Sequence, residues 1–227
     1  MQNTEAQLDR IERHVVEACD RIKIRNLLNS YLFAFHSADI RRILDCFALE
    51  DPNTSVEFGR GCLKGKAELT EFYNERVAAG QIHGSFVEHG EGATIVEIAK
   101  DRKTARVAAI SFGYKMLPPA ESEAWDIGRY YFELLRTEEG WKIWHLQWIL
   151  VAEGDTCYGW LAQNIAYQKE EDYPSMDETV KAEVRLHPSD CFVDYYKPDE
   201  INHYLPEPPK AYEAWDGYAV TRDTRGY

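Results

Sequence analysis

The stretch Thr94-Ile95-Val96-Glu97-Ile98-Ala99-Lys100-Asp101-Arg102-Lys103-Thr104-Ala105 decides the fold class. Residues suited to a pleated surface flank a polar Lys100-Asp101-Arg102-Lys103 turn, which is the pattern of a β-hairpin. From Ser85 onward the hydrophobic period is two, and strands are expected at 85–89, 93–100, 104–116, 125–136 and 141–151. A second hairpin turn falls at Thr137-Glu138-Glu139-Gly140. Before Ser85 the period is helical. Apolar positions Leu8, Ile11, Val15, Ala18, Ile22, Ile24, Leu27, Leu28 and Tyr31 recur at helical spacing with no Pro or Gly, so residues 4–36 form one long or two abutting helices. Asp39 reads as the N-cap of a short helix from Ile40 to Phe47. Asp51-Pro52-Asn53-Thr54 turns into a strand from Ser55 to Phe58, and Gly59 to Gly65 reads as a hairpin connection. Lys66 to Ala79 is a third helix stopped by Gly80. Helices first and a meander afterwards predict an α+β domain, with helices on one face of a curved, mostly antiparallel sheet.

The chain has 227 residues, 44% of them hydrophobic, enough for one domain with an extension. The expected division is a domain over residues 1–153 and a Pro- and aromatic-rich arm over residues 154–227. The arm is expected to pack on the domain or on a neighbouring subunit, because its rings would be a liability in solvent. With 39 acidic against 26 basic residues the formal charge is −13, which disfavours nucleic acid and anionic membrane as partners. The start carries no signal-peptide pattern, and no apolar run approaches the ~18 residues of a membrane helix, so a cytoplasmic protein is expected. Cys19, Cys46, Cys62, Cys157 and Cys191 form no CxxC pair and read as free thiols.

Tyr31 and His36 lie in the apolar run Leu27-Leu28-Asn29-Ser30-Tyr31-Leu32-Phe33-Ala34-Phe35-His36, and His89 lies eight residues ahead of Glu97. Tyr and His can exchange protons near neutral pH without a cofactor, and these segments read as buried. They therefore suggest a general acid/base site in an apolar pocket. Each has a structural reading beside it: Tyr31 as a core tyrosine, His36 as a helix C-terminal residue favoured by the dipole, and His89 as a satisfied strand residue. Tyr114, Trp125, Arg129, Trp144 and Trp148 are candidates for substrate contact, with packing or surface ion pairing as the alternative for each. His83 and His145 are weaker candidates. His36, His89 and His145 lack the close spacing of zinc ligands, so no metal is expected. No phosphate-binding loop, dinucleotide fingerprint or nucleophile motif is present, and no cofactor is implied.

The order of elements, Asp45-Cys46-Phe47-Ala48-Leu49-Glu50-Asp51 after the second helix, Gly61-Cys62-Leu63-Lys64-Gly65-Lys66 before the third, and Glu139-Gly140-Trp141-Lys142-Ile143 together resemble the SnoaL-like branch of the NTF2-like superfamily. The resemblance covers roughly residues 15–152 and implies a cone of helices against a bent sheet with a pocket inside. In its cofactor-free lyases, such as a bile-acid dehydratase and hexachlorocyclohexane dehydrochlorinase, the first helix carries a Tyr or Lys followed five residues later by an Asp that orients a His. Those positions fall here on Tyr31, His36 and His89, so the base is kept and its orienter changed. Glu88, Glu91 and Glu97 are possible orienters. Trp125-Asp126-Ile127-Gly128-Arg129-Tyr130, Trp141-Lys142-Ile143-Trp144-His145-Leu146 and the arm segment Pro206-Glu207-Pro208-Pro209 resemble a longer subgroup that includes γ-formaldehyde lyases of lignin-derived diaryl compounds. The resemblance also implies a homo-oligomer, with a trimer favoured over a dimer.

The last two strands admit two registers. Pairing Arg136 with Trp141 and continuing without irregularity sets Phe132 opposite His145, and a one-residue slip sets Glu133 there instead. The position of a pocket arginine in the dehydrochlorinase corresponds to Leu146, which implies inward Trp144, Leu146 and Trp148 and an outward His145. Together these readings give a cofactor-independent lyase acting on a hydrophobic, hydroxylated aromatic or polycyclic molecule, with loss of water or of formaldehyde. In it Tyr31 and His36 contact the substrate hydroxyl and His89 moves the proton. A non-catalytic binding module and a ketosteroid-type isomerase are the alternatives.

Overall fold

A computed structural model describes residues 2–58, 61–80, 84–116, 123–156 and 209–211. The elements run α1 (Gln2–His36), α2 (Ile40–Asp45), β1 (Ser55–Phe58), β2 (Gly61–Lys64), α3 (Gly65–Gly80), β3 (Phe86–Ile98), β4 (Thr104–Met116), β5 (Ala124–Thr137) and β6 (Gly140–Asp155). The expected α+β class, helices followed by a long meander, is what the chain adopts. The segment expected as a bare connection, Gly59 to Gly65, instead contains β2, which pairs antiparallel with β1. The two expected strands 85–89 and 93–100 are one strand, kept continuous by a bulge between Glu91 and Thr94.

The single helix α1 follows from its lack of breakers, but its two halves meet different surroundings. Leu8, Ile11, Val15 and Ile22 are exposed, whereas Ile24, Leu28, Tyr31 and Leu32 enter the core. The boundary is Asp20, buried and held by Arg102, Arg136 and the indole N–H of Trp141. This node ties the helix to both hairpin turns of the meander. Burial alone would raise the Asp20 pKa, but the bonds from Arg102 and Trp141 and the charge of Arg136 hold it below its usual value.

Helix α1 stops without glycine. Asp39 N–H reaches Ala34 O at 2.9 Å and Ala38 N–H reaches Phe35 O at 3.3 Å, with Ala38 in the left-handed region at φ 58°. This paired closure satisfies two end carbonyls and fixes the last turn, on which His36 stands. Asp39 then caps α2 by accepting from Arg42 N–H at 3.0 Å, the role expected of it.

The six strands form one sheet in the order β2-β1-β6-β5-β4-β3, with β1 parallel to β6 and all other neighbours antiparallel. One face carries Val56, Val107, Ala109, Phe132, Leu134 and Leu146 against Ile24, Leu28 and Tyr31 of α1, Ile43 of α2 and Leu69 and Tyr73 of α3. Burying such aliphatic and aromatic side chains contributes ~1.5–3 kcal/mol each, and this inner face is the main core. The outer face is also largely buried near β5 and β6, through Tyr131, Ile149, Gln147, Glu133 and His145. Of the arm, Pro209–Ala211 alone is described; Pro209 is buried and the Lys210 carbonyl accepts from Arg106. Cys19, Cys46 and Cys62 are free thiols, and Cys157 and Cys191 lie outside the described residues. Among the described residues no helix is long and apolar enough to cross a membrane.

Candidate active site

Three neighbouring strands set one transverse row across the inner face: His89 on β3 opposes Gly113 on β4, which opposes Asp126 on β5. A side chain at the middle position would separate the outer two. A Cβ on Gly113 would stand 2.4 Å from His89 Cδ2 and 3.0 Å from Asp126 Oδ1. The missing methyl therefore lets the imidazole cross β4 and donate its Nε2–H to Asp126 Oδ2 at 3.2 Å. The Asp126 side chain is 1% exposed and that of His89 14%. With Nε2 turned to the carboxylate, Nδ1 carries the lone pair. Nδ1 is buried and has no hydrogen-bond partner, and the same holds for Asp126 Oδ1. A carboxylate that fixes the tautomer and leaves the second nitrogen free is the arrangement of a poised general base.

His36 does not orient the ring of His89. Because β3 is an edge strand, the outward backbone N–H of His89 has no strand partner, and it donates to His36 Nε2 at 2.9 Å. The His36 hydrogen then sits on Nδ1, which faces Glu88 at 3.8 Å. Burial holds the His36 imidazole below its ordinary pKa; Glu88 opposes the shift and His89 adds to it. The two rings stack, with centroids 6.3 Å apart and planes 11° from parallel. The edge of Trp148 closes the other side of His89 at 5.9 Å and 84°. Trp148 donates its indole N–H to Ser111 Oγ at 3.3 Å, and Ser111 also bonds the Tyr130 hydroxyl. Tyr31 lies deeper, its hydroxyl 3.0 Å from that of Tyr73. Burial pushes the Tyr73 and Tyr130 phenols well above their usual pKa, with the neighbouring Tyr31 adding to both.

Of the candidate residues, then, His89, His36 and Trp148 are brought together, and Tyr31 stands in the core beside them. The others lie elsewhere. Tyr114, opposite Trp125 on the outer face, is 58% exposed. Arg129 is also on that face and bonds its neighbour's carbonyl, Gly128 O, at 3.0 Å. The reason is strand alternation: Gly113, Asp126 and Gly128 point inward, so Tyr114, Trp125 and Arg129 cannot. Trp144, expected on the inner wall, sits in a bulge and stacks on His145 at 3.8 Å. That bulge, between Glu133 and Leu134, keeps Arg136 opposite Trp141 yet sets Glu133 opposite His145.

The resulting pair, His145 Nδ1 to Glu133 Oε2 at 2.5 Å, is on the outer face. Glu133 Oε1 accepts from Arg106 at 3.2 Å and His145 Nε2 donates to Asn53 O at 3.2 Å. Each of these nitrogens and oxygens thus has a partner, unlike His89 Nδ1, and the pair reads as a structural link between β1, β4, β5 and β6. His36, His89 and His145 lie on opposite faces of the sheet and do not converge. Among the described residues no group of three His, Cys, Asp or Glu is placed to hold a metal. His83 lies outside the described residues.

Sequence reasoning missed Asp126, Gly113, Ser111 and Trp148's bond to it. The usable signal was Gly113 and Asp126 at inward positions of consecutive antiparallel strands, visible only once the register is known.

Helices closed over one face of a bent six-stranded sheet give the chain the fold of nuclear transport factor 2-like (NTF2-like) proteins. Residues 16–147 match the SnoaL-like domain model, more than half of the chain, and the protein belongs to that family. Among solved structures, a protein of Novosphingobium aromaticivorans assigned provisionally as an aromatic ring hydroxylase is 25% identical, covering 60% of this chain and 93% of its own at a TM-score of 0.51. A protein of the same organism assigned provisionally as a scytalone dehydratase is 11% identical over 64% and 91%, TM-score 0.53. A type 3 hexachlorocyclohexane dehydrochlorinase of Novosphingobium barchaimii is 15% identical over 63% and 93%, TM-score 0.54. At such identities the last two show a shared fold. Among proteins of curated function, none matches the chain.

Proposed function

We propose that the protein is a cofactor-independent lyase that removes water or formaldehyde from a hydrophobic, hydroxylated aromatic or polycyclic molecule. The observation that carries this reading is the His89–Asp126 pair with its free, buried Nδ1. In an elimination, Nδ1 takes the proton, from carbon for loss of water or from a terminal hydroxyl for loss of formaldehyde. The imidazolium that results is stabilised by the Asp126 carboxylate already bonded to Nε2. His36, stacked on His89, and Trp148, edge-on to it, supply flat surfaces for a ring system. Related folds named for a dehydratase and a dehydrochlorinase support elimination chemistry as the reaction class.

The test is incubation of the protein with aryl diols and diaryl propanediols, with mass analysis of the products. Wild type is expected to yield a product lighter by water, by formaldehyde or by both, and His89→Ala to lose ~10²–10⁴-fold in rate while remaining folded. Tight binding of a diol with no mass change would make the protein a binding module. Turnover by His89→Ala above about a third of wild type would remove His89 from the chemistry.

A further inference from the structure

An elimination needs an acid as well as a base, since hydroxide leaves poorly without a proton. His89 cannot supply it while it accepts one. On the described inner face Glu91 is a second group with an idle, buried polar atom. It is two residues from His89 on the same strand, so both side chains leave the same face about 7 Å apart. Its Oε2 is buried with no hydrogen-bond partner, as is His89 Nδ1. A base and an acid separated in this way can address the two ends of a bond that breaks across adjacent carbons.

The local geometry also indicates which carboxyl oxygen is open to a proton. Glu91 and Thr94 flank the bulge of β3. Thr94 Oγ1 lies 2.5 Å from Glu91 Oε1 and 3.1 Å from Gly92 O. The threonine hydroxyl has one hydrogen, and a carbonyl can only accept. Thr94 Oγ1 donates to Glu91 Oε1 and shares its hydrogen with Gly92 O, so this contact occupies Oε1 and leaves Oε2 as the oxygen open to a proton. Burial favours that proton by raising the Glu91 pKa; the Thr94 bond and the charge of Arg25 on α1 oppose it. Glu91 stands opposite Ser111 of β4, whose hydroxyl bonds the Tyr130 phenol of β5, so both groups share the inner surface.

We propose that Glu91 is the proton donor to the departing oxygen, acting opposite His89. The inference rests on the lyase reading above. In the step, His89 Nδ1 takes the proton, the electron pair forms the new double bond, the carbon–oxygen bond breaks, and the leaving oxygen takes the Glu91 proton to depart as water. Where formaldehyde is also released, the base takes the proton of the terminal hydroxyl and the carbon–carbon bond breaks to give the aldehyde, with water again formed at Glu91. Imidazolium and carboxylate remain, and proton transfer between them through solvent restores the starting state.

The test compares Glu91→Gln, Glu91→Asp and His89→Ala on a diaryl propanediol and on its acetate ester at the departing oxygen. Glu91→Gln is expected to lower kcat on the diol by about 100-fold with KM little changed, and to lose the fall of kcat at high pH that deprotonation of an acid causes. Glu91→Asp should restore part of the rate. The ester needs no proton to leave, so it should rescue Glu91→Gln and not His89→Ala. A Glu91→Gln enzyme that keeps wild-type rate while His89→Ala is dead overturns the role of Glu91 alone; absence of turnover by wild type counts against the lyase reading. Infrared difference spectroscopy between wild type and Glu91→Gln tests the proton directly. A protonated carboxyl band at neutral pH is expected in wild type and absent from the variant, and its absence from wild type overturns the inference whatever the substrate.

Discussion

Gly113→Ala is the sharpest test of how the sheet builds the site. The added Cβ would sit 2.4 Å from His89 Cδ2 and 2.8 Å from Nε2, where ordinary contact begins near 3.4 Å. The ring must therefore retreat by about 1 Å, and it is free to do so because it is the end of a side chain, not backbone. A displacement of about 1 Å in a reacting group can cost ~10²-fold in rate. The stability change is smaller and has two opposed parts. Replacing glycine in a strand by alanine gains about 0.5–1 kcal/mol, and losing a hydrogen bond to a charged group costs about 1.5–3 kcal/mol. A net loss of about 1–2 kcal/mol is expected, a fall in Tm of roughly 2–8 °C for a chain of this size. Calorimetry, turnover on a diaryl propanediol and the imidazole resonances of His89 by NMR would read all three. Gly90→Ala is the control, since its Cβ meets the half-exposed ring of Phe112 on the outer face and leaves the His89–Asp126 pair alone. Unmoved His89 resonances and wild-type turnover in Gly113→Ala would refute the argument that the vacant position holds the pair together.

Asp126→Asn keeps the shape of the pair but offers His89 no charge, so the imidazole should no longer be held with Nδ1 free; the expected loss is ~10²-fold or more in kcat without unfolding, read by turnover and circular dichroism. His36 has a folded pKa below its ordinary 6.5, so its contribution to stability is complete above that value and falls as pH drops below it. Urea unfolding of wild type and His36→Gln between neutral and mildly acidic pH should show this slope in wild type alone; equal slopes would remove His36 from the account. Asp20→Ala leaves Arg102 and Arg136 without their shared carboxylate, and with both arginine side chains more than a third exposed a loss of about 2–3 kcal/mol is expected in denaturant unfolding. His145→Gln breaks the outer-face link and should lower stability while leaving kcat at the wild-type value, and a matching loss of kcat would show that the outer face is coupled to the chemistry.

The sequence alone determined the layout. Helix α1, the Asp39 cap, the three helices followed by a meander, and the turn at Lys100 to Lys103 all rest on local spacing and local hydrogen bonding, which a linear string displays. His89 was singled out because its position matches that of the His in the cofactor-free lyases, a match that a linear string displays. Tertiary structure decided which face each strand residue takes. A strand's side chains alternate, so one extra residue at a bulge reverses the assignment downstream, and the bulges at Glu91/Thr94 and Glu133/Leu134 are of that kind. The outer face gave no polar contrast to correct the reading, because Tyr131 and Ile149 are buried there beside Glu133, His145 and Gln147. Tyr114, Trp125 and Arg129 were named as contact candidates by residue type, and the register sets them on the outer face. The partner of His89 was hidden for a different reason: Asp126 is 37 residues away in the chain and meets it across a third strand, through a gap that exists because position 113 has no side chain.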